Sequence, residues 1–277
     1  QLVAPTVEGP AWFKANAPGL AHEPALHALL ASIAPDRVDA PLAIDTERGW
    51  MLTRDRGSTL ADDHDASLEE WCEIVREAAD LQRRVVPHAA SLLGTGLPNC
   101  SPTTVLERFE LLIDRYAALP PNHPSHLSID ERQAFEAVRP DVAEAAATLA
   151  AGLLPVTLDH GDLHPGNVLL VGGGLRLFDF GDAQWASAPE TLGAMWGWLD
   201  QLTPHPWRTI FAAYAEVWSD LVTQAEFDIL VRAAMVTLPV NRSLTWWEST
   251  VGGTDEELRE WGDAPLSQLR HLLRPWP

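Results

Sequence analysis

The chain has 277 residues, 46% of them hydrophobic and 21% charged, with a mean hydropathy of −0.07. Those proportions exclude disorder and leave room for one large domain or two unequal ones. The 39 acidic residues outnumber the 19 Lys and Arg to give a net charge of −20, a field that repels nucleic-acid backbones and anionic membranes and draws in cationic small molecules.

The cations comprise 18 arginines and one lysine, Lys14. Two cysteines, Cys72 and Cys100, supply no disulfide framework, so a reducing compartment is expected, and Cys72 reads as a small buried hydrophobe. The N-terminal residues carry no signal-peptide pattern, and the longest apolar passage, 145–156, is too short to span a bilayer. A cytoplasmic location follows as the expectation.

In chain order, Leu2–Ala4 and Ala11–Lys14 predict short strands bent around Glu8-Gly9-Pro10. Pro24 suits a helix start, and Leu26, Leu29, Leu30 and Ile33 fall on one face of the helix that follows. Leu42–Ile44 and Trp50–Thr53 read as a hairpin around Thr46–Gly49, and Gly57-Ser58 is the candidate domain boundary, separating 1–57 from 58–277. Helical spacing dominates residues 65–150, with loops at 94–102 and 118–126 and an interruption of the third helical region at Pro140. Val156–Leu158 predicts a strand, Asp159–Asn167 a polar loop, and Val168–Val171 with Leu175–Phe178 a hairpin turned by three glycines. From about Pro189 the chain reads as helical, and nine of its twelve tryptophans lie from Trp185 onward. The result is an α+β chain with a small β-rich N-terminal part and a large, mostly helical C-terminal part.

Several mechanisms fall by inspection. The one lysine is followed by Ala15, so there is no P-loop, and no G-x-G-x-x-G, G-x-S-x-G, H-E-x-x-H or Cys-x-x-Cys element is present. What remains is His160-Gly161-Asp162-Leu163-His164-Pro165-Gly166-Asn167, a hairpin, and Asp179-Phe180-Gly181-Asp182. The hairpin returns the chain so that Asp179 faces Asn167. A carboxamide oxygen and a carboxylate converging there suit Mg²⁺, and Asp162 is left to accept a proton from an alcohol. A transition-metal site on His160, Asp162 and His164 is the competing reading; Asn167 is a poor zinc ligand.

His160–Asn167 resembles the catalytic loop H-G-D-x-H-x-G-N of the aminoglycoside phosphotransferase and choline kinase family, within the protein-kinase-like superfamily. Asp179-Phe180-Gly181 is similar to that family's metal-binding D-F-G element. The resemblance implies a bilobal kinase-like fold, Asp162 as catalytic base, Asn167 and Asp179 as Mg²⁺ ligands, and His160 as a structural brace. It implies a γ-phosphate contact for His164. It also implies that Lys14, paired with Glu23 at the start of the next helix, holds the nucleotide phosphates; a compact ammonium fits there where a guanidinium fits differently. By the same analogy Thr53 to Asp55 form the nucleotide hinge. The family places more strand ahead of this lysine than the 13 residues present here, so the small lobe is expected to be incomplete at its start. The family's D-P-x-x-D-L is eroded to Ser187-Ala188-Pro189-Glu190-Thr191-Leu192.

The implied activity is transfer of the γ-phosphate of ATP, or of GTP, to a hydroxyl of a small molecule, most simply an aminoglycoside or amino-sugar, with antibiotic resistance as one biological outcome. A metabolic kinase for a sugar, a choline-like alcohol or a hydroxy-amino acid keeps the same chemistry; a nucleotide-binding pseudokinase is the alternative of another class. Acceptor contacts are sought at Asp182 and in Asn241–Glu248, a polar segment read as interrupting an apolar helix after Pro239. There Trp246 and Glu248 suit an ammonium group and Arg242 a carboxylate. Asp255–Glu260 reads as a solvated helix start.

Overall fold

The computed structural model describes residues 1–7, 9–201 and 206–274, with the side chains of residues 63 and 198–201 left aside. Glu8, in the turn read from sequence, lies outside the described residues; Gly9 and Pro10 belong to a strand. In chain order the elements are β1 (Leu2–Thr6), β2 (Gly9–Ala15), α1 (Glu23–Ile33), β3 (Ala43–Asp45), β4 (Trp50–Arg54), α2 (Leu60–Asp63), α3 (Leu68–Val85) and α4 (Ala89–Leu93). Then come α5 (Val105–Ala118), α6 (Ile129–Ala150), β5 (Val156–Asp159), β6 (Val168–Val171), β7 (Gly174–Leu177) and β8 (Gln184–Ser187). The chain continues with α7 (Leu192–Gln201), α8 (Trp207–Val217), α9 (Gln224–Thr250), α10 (Asp255–Trp261) and α11 (Ala264–Leu269). The architecture is α+β, with a small antiparallel sheet first and a mostly helical remainder.

The chain forms two compact units, one of residues 1–99 and 154–224, the other of residues 100–153 and 225–277. In the first, the strands order as β1-β2-β4-β3, all antiparallel. The register sets Trp12 opposite Thr53 and Lys14 opposite Met51, so the period of two puts these side chains on one face. Helix α3 carries a capping box on Ser67 and Glu70, acids in its first turn and Arg83 and Arg84 in its last, which suits its dipole. Its apolar face (Trp71, Ile74, Val75, Leu81 and Val85) is buried, and α3 packs against α8 and β5.

A buried polar knot fixes this packing. Gln82 Nε2 donates to the carbonyls of Leu158 (2.7 Å) and Ala188 (3.1 Å), and the Tyr214 hydroxyl lies 2.5 Å from Gln82 Oε1 and 2.7 Å from the Ala188 carbonyl. Strand β5, which leads into the polar loop, is thereby tied to α3, α8 and the segment after β8. Sequence reading missed β8, which pairs with β5 from Val156↔Ser187 to Asp159↔Gln184; all four of its residues are buried, so it shows no polar alternation.

The second unit closes on a core of Phe109, Leu112, Tyr116, Phe135, Val142 and Val240. Two expectations fail there. Helix α6 runs through Pro140 without interruption: Pro140 and Glu136, whose carbonyl loses its donor, are both exposed to water, while Phe135 and Val142 anchor the helix on either side. Helix α9 likewise runs through Pro239, so Asn241–Glu248 is helical and does not interrupt it. Its polar residues are internal anchors: Asn241 Oδ1 accepts from Arg108 (2.6 Å), and Ser243 Oγ bonds Tyr116 (2.7 Å) and the Pro265 carbonyl (2.8 Å). Asp255–Glu260 does start a helix, capped by Thr254 and Glu257, and both cysteines are buried and unbridged.

Gln82→Ala removes the centre of the buried knot and strands the hydrogen bonding of β5. Urea unfolding should show a loss of about 2–4 kcal/mol; a change within about 0.5 kcal/mol would exclude the structural role assigned to the knot.

Candidate active site

The polar loop grows out of β5 and is shaped by a glycine requirement at Gly161. Gly161 has φ +77°, and a Cβ there would lie 2.1 Å from the Asp182 carbonyl oxygen, so no other residue fits. Asp159, at the end of β5, accepts the Gly161 amide at 2.9 Å. The loop then closes on itself: Asn167 Nδ2 donates to the Asp162 carbonyl (2.8 Å) and to Asp162 Oδ2 (3.1 Å), while His164 Nδ1 accepts the Gly166 amide (3.0 Å). Asp162 is 40% exposed at its side chain, and His164 Nε2 stands 3.4 Å from its Oδ2.

Strands β6 and β7 pair with Val168 opposite Leu177, and the Phe178 amide donates to the Asn167 carbonyl at 3.2 Å. The hairpin thus returns the chain to the loop, and Asp179 follows at once. Asp179 has φ +63°, the left-handed region, and is the one non-glycine residue so placed among those described; such a conformation persists only where the surroundings over-determine it. Here they do. Phe180 is fully buried, its ring 4.8 Å from that of His160 and 5.7 Å from that of His27. His160 Nε2 bonds the Phe178 carbonyl at 3.0 Å.

Lys14 completes the group. Its Nζ lies 2.6 Å from Glu23 Oε2 and 2.6 Å from Asp179 Oδ1. Glu23 opens α1, preceding Pro24, and is fully buried. Burial alone would lower the lysine pKa, but the two carboxylates outweigh it and hold the ammonium above its ordinary value. Gly181 passes over the pair, its Cβ position 3.4 Å from Glu23 Oε2 and 3.6 Å from Lys14 Nζ.

Lys14, Glu23, Asn167 and Asp179 line one cavity of about 370 Å³ in the first unit. Thr53 also lines it, whereas Asp55 instead accepts the Gly57 amide at 2.9 Å and shapes the exit from β4. Sequence reading missed the apolar walls, Trp12, Met51, Leu169 and Leu177, and the polar residues Asp39, Arg56 and Arg176. The signal for Trp12 was available: it stands two residues before Lys14 and so on the same strand face. Arg242, Trp246 and Glu248 belong to the second unit. Arg242 is buried, Trp246 stacks on Trp261 at 5.6 Å, and Glu248 lies 4.0 Å from Arg115, whose guanidinium covers Trp247. Among the described residues no group of three or more His, Cys, Asp or Glu is arranged to hold a metal ion, which leaves the His160–Asp162–His164 transition-metal reading without support.

The cavity with this loop, Asp179 and the lysine–glutamate pair sits on a kinase-like fold, and the class of protein is a small-molecule kinase. The chain belongs to the phosphotransferase enzyme family, whose model matches residues 13–221. No curated protein matches by sequence. Solved structures share the fold. An ethanolamine kinase from Plasmodium vivax superposes with TM-score 0.65 at 13% identity, over 95% of this chain and 76% of that one. A macrolide 2′-phosphotransferase from Brachybacterium faecium gives TM-score 0.59 at 19% identity, covering 99% and 89%. An APH(2″) enzyme solved with GDP and kanamycin gives 0.55 at 15%, covering 97% and 93%.

Burial lowers the pKa of His22 to about 4 and lowers those of His27 and His160, so all three imidazoles fold neutral. The unfolded chain binds protons below about pH 6.5 that the folded chain refuses, so stability falls as pH drops below that value. Urea midpoints should decline from pH 7 to pH 4.5, with His22 alone contributing about 3 kcal/mol by pH 4. His22→Asn should flatten the decline; an unchanged slope would remove His22 from this account.

Proposed function

We propose that the protein transfers the γ-phosphate of a nucleoside triphosphate to a hydroxyl of a small, amine-bearing alcohol, an aminoglycoside or related amino-sugar. The observation that carries this reading is the convergence of Lys14, Glu23, Asn167 and Asp179 on one cavity, with Asp162 held to Asn167 by the carboxamide.

Asp162 is the base: its carboxylate takes the hydroxyl proton as the alcohol oxygen bonds to the γ-phosphorus and the bond to the β–γ bridging oxygen breaks. The Asn167 contact fixes its orientation, and its exposure leaves it open to an incoming alcohol. Lys14, braced by buried Glu23, binds the phosphates, with His164 beside Asp162 as a γ-phosphate contact and His160 as the loop's brace. The residues present fit Mg²⁺: Asn167 commits its amide nitrogen to Asp162, leaving oxygen as its remaining donor, and Asp179 adds a carboxylate. When bound there, the ion would neutralise phosphate charge. Residues 1–57 supply most of the nucleotide's walls, with Trp12 as a face for the base and Thr53 to Asp55 as the hinge; 58–277 supplies the loops and the acceptor side.

The acceptor's amine is argued from the net charge of −20 and from the family. A choline- or ethanolamine-like alcohol is the second reading, supported by the family and by the fold shared with an ethanolamine kinase. Asp182 remains a candidate acceptor contact beside the metal-side loop.

Asp162→Asn should lower kcat by about 10²–10⁴-fold while nucleotide affinity and folding persist, read by ADP or GDP release and by thermal unfolding; near-normal turnover would remove Asp162 as base. Release of nucleoside diphosphate across aminoglycosides, amino-sugars, choline and neutral sugars separates the acceptor classes. Turnover confined to neutral sugars would refute the amine requirement. Lys14→Arg should raise the nucleotide KM about tenfold or more, because a planar fork replaces a point charge between two carboxylates; an unchanged KM would detach Lys14 from phosphate binding.

A further inference from the structure

The lysine–glutamate pair joins two segments that need an outside hold. Lys14 sits in β2, Glu23 opens α1, and residues 15–22 link them, with Pro18 and Gly19 in the middle. Helix α1 brings no side-chain cap of its own: His22 stands at its N-cap position and makes no capping hydrogen bond. A buried carboxylate on an uncapped first turn must be placed by contacts from outside the helix.

The β3–β4 turn supplies those contacts at both ends of the linker. Asn16 and Gly49 extend the β2–β4 register one pair beyond Ala15↔Trp50, so Asn16 shares the strand face of Lys14. The Gly49 carbonyl accepts the Asn16 backbone amide and Asn16 Nδ2, each at 3.1 Å. Two donors from one residue fill both lone pairs of that oxygen. At the other end of the linker, a Cβ on Gly49 would lie 3.0 Å from Ala21 Cβ. The turn therefore packs directly on the residue two before Glu23.

The same carboxamide lies against Glu23. With Lys14 it favours the ionised carboxylate against the upward push of burial, although it is not aligned for a full hydrogen bond. Asn16 Oδ1 is buried without a hydrogen-bond partner. Turned over, the amide would set that oxygen against a carbonyl and a carboxylate, so its donor side is the one that faces Gly49 and Glu23. Asn16 does not line the cavity.

We propose that Asn16 is a positioning residue of the phosphate site. Clasped on the Gly49 carbonyl and facing Glu23, it sets where the first turn of α1 meets β2, and so where the Lys14 ammonium is held. The proposal rests on the reading of Lys14 as the phosphate-binding group and adds the residue that fixes it. Asn16 acts through Glu23 and not by touching the nucleotide, so its loss weakens what the phosphates contribute to binding and spares what the nucleoside contributes.

Calorimetric titration of the full chain with ADP and GDP in Mg²⁺, and with adenosine and guanosine, tests this. Asn16→Leu should weaken the diphosphate that the wild-type chain binds by about tenfold, while affinity for its nucleoside moves less than about twofold. Glu23→Gln should weaken the same diphosphate, and adding Asn16→Leu to it should cost no more than about twofold further, because the two act as one unit. Thermal unfolding checks each variant, and Asn16→Ala takes the place of Asn16→Leu if leucine does not fold there. Unchanged diphosphate affinity in a folded Asn16 variant, equal loss of nucleoside and diphosphate, or losses that multiply in the double variant overturn the assignment and leave the Lys14 reading intact. If the wild-type chain binds neither diphosphate, or Glu23→Gln binds it as tightly as wild type, the Lys14–Glu23 reading falls, and this proposal with it.

Discussion

A single ammonium between two carboxylates is the constraint on which the site depends. Lys14 stands 2.6 Å from both Glu23 and Asp179, and so ties a strand of the small sheet, the first turn of α1 and the segment after β7 to one point. Glu23 is fully buried, and a buried carboxylate stripped of its cation is costly enough to reorganise its surroundings. Asp179 brings a second negative charge to the same place, so the lysine also screens the two acids from each other. A guanidinium would spread that charge over a plane, and Gly181 borders the same spot, a Cβ there lying 3.4 Å from Glu23 Oε2 and 3.6 Å from Lys14 Nζ.

The ion triad would be loose if Asp179 were free to turn. It is held by a left-handed backbone that only its neighbours sustain. Phe180 fills the core between the rings of His160 and His27, and His160 in turn bonds the Phe178 carbonyl. One imidazole belongs to the loop bearing Asp162 and the other to the helix bearing Glu23, so the phenylalanine registers the two against each other. Both imidazoles are neutral because burial denies them a proton, which lets them pack on an aromatic ring without bringing charge to it. The rigid side of the site is thus aromatic and dry, while Asp162 is left partly open.

What could be read from the residues alone was whatever local spacing encodes. The hairpin of β6 and β7, the loop from His160 to Asn167 and the pairing of Lys14 with Glu23 all follow from short-range patterns or from a motif. Strand β8 did not, because a run buried on every side has no alternation to display. Prolines 140 and 239 misled in the same direction, since propensity charges the full cost of a lost hydrogen bond and cannot see that water meets one freed carbonyl or that packing holds both flanks. The polar residues of Asn241–Glu248 looked like ligand contacts, yet Asn241 and Ser243 are committed to Arg108, Tyr116 and Pro265 within their own unit. Three charged residues of the cavity lining escaped notice for a plainer reason: Asp39, Arg56 and Arg176 are far apart in sequence and join no motif.

Those last residues change what the overall charge means. A chain at −20 is a poor host for a polyanion, but the charge that matters to a bound nucleotide is the charge lining its cavity. There Lys14 and three arginines stand against four carboxylates among the described residues, a local balance of zero. A divalent cation held by Asn167 and Asp179 would add positive charge beside Lys14. The acidic exterior and the neutral cavity lining are therefore separate features, and a lining with no net negative charge carries no overall repulsion of phosphates.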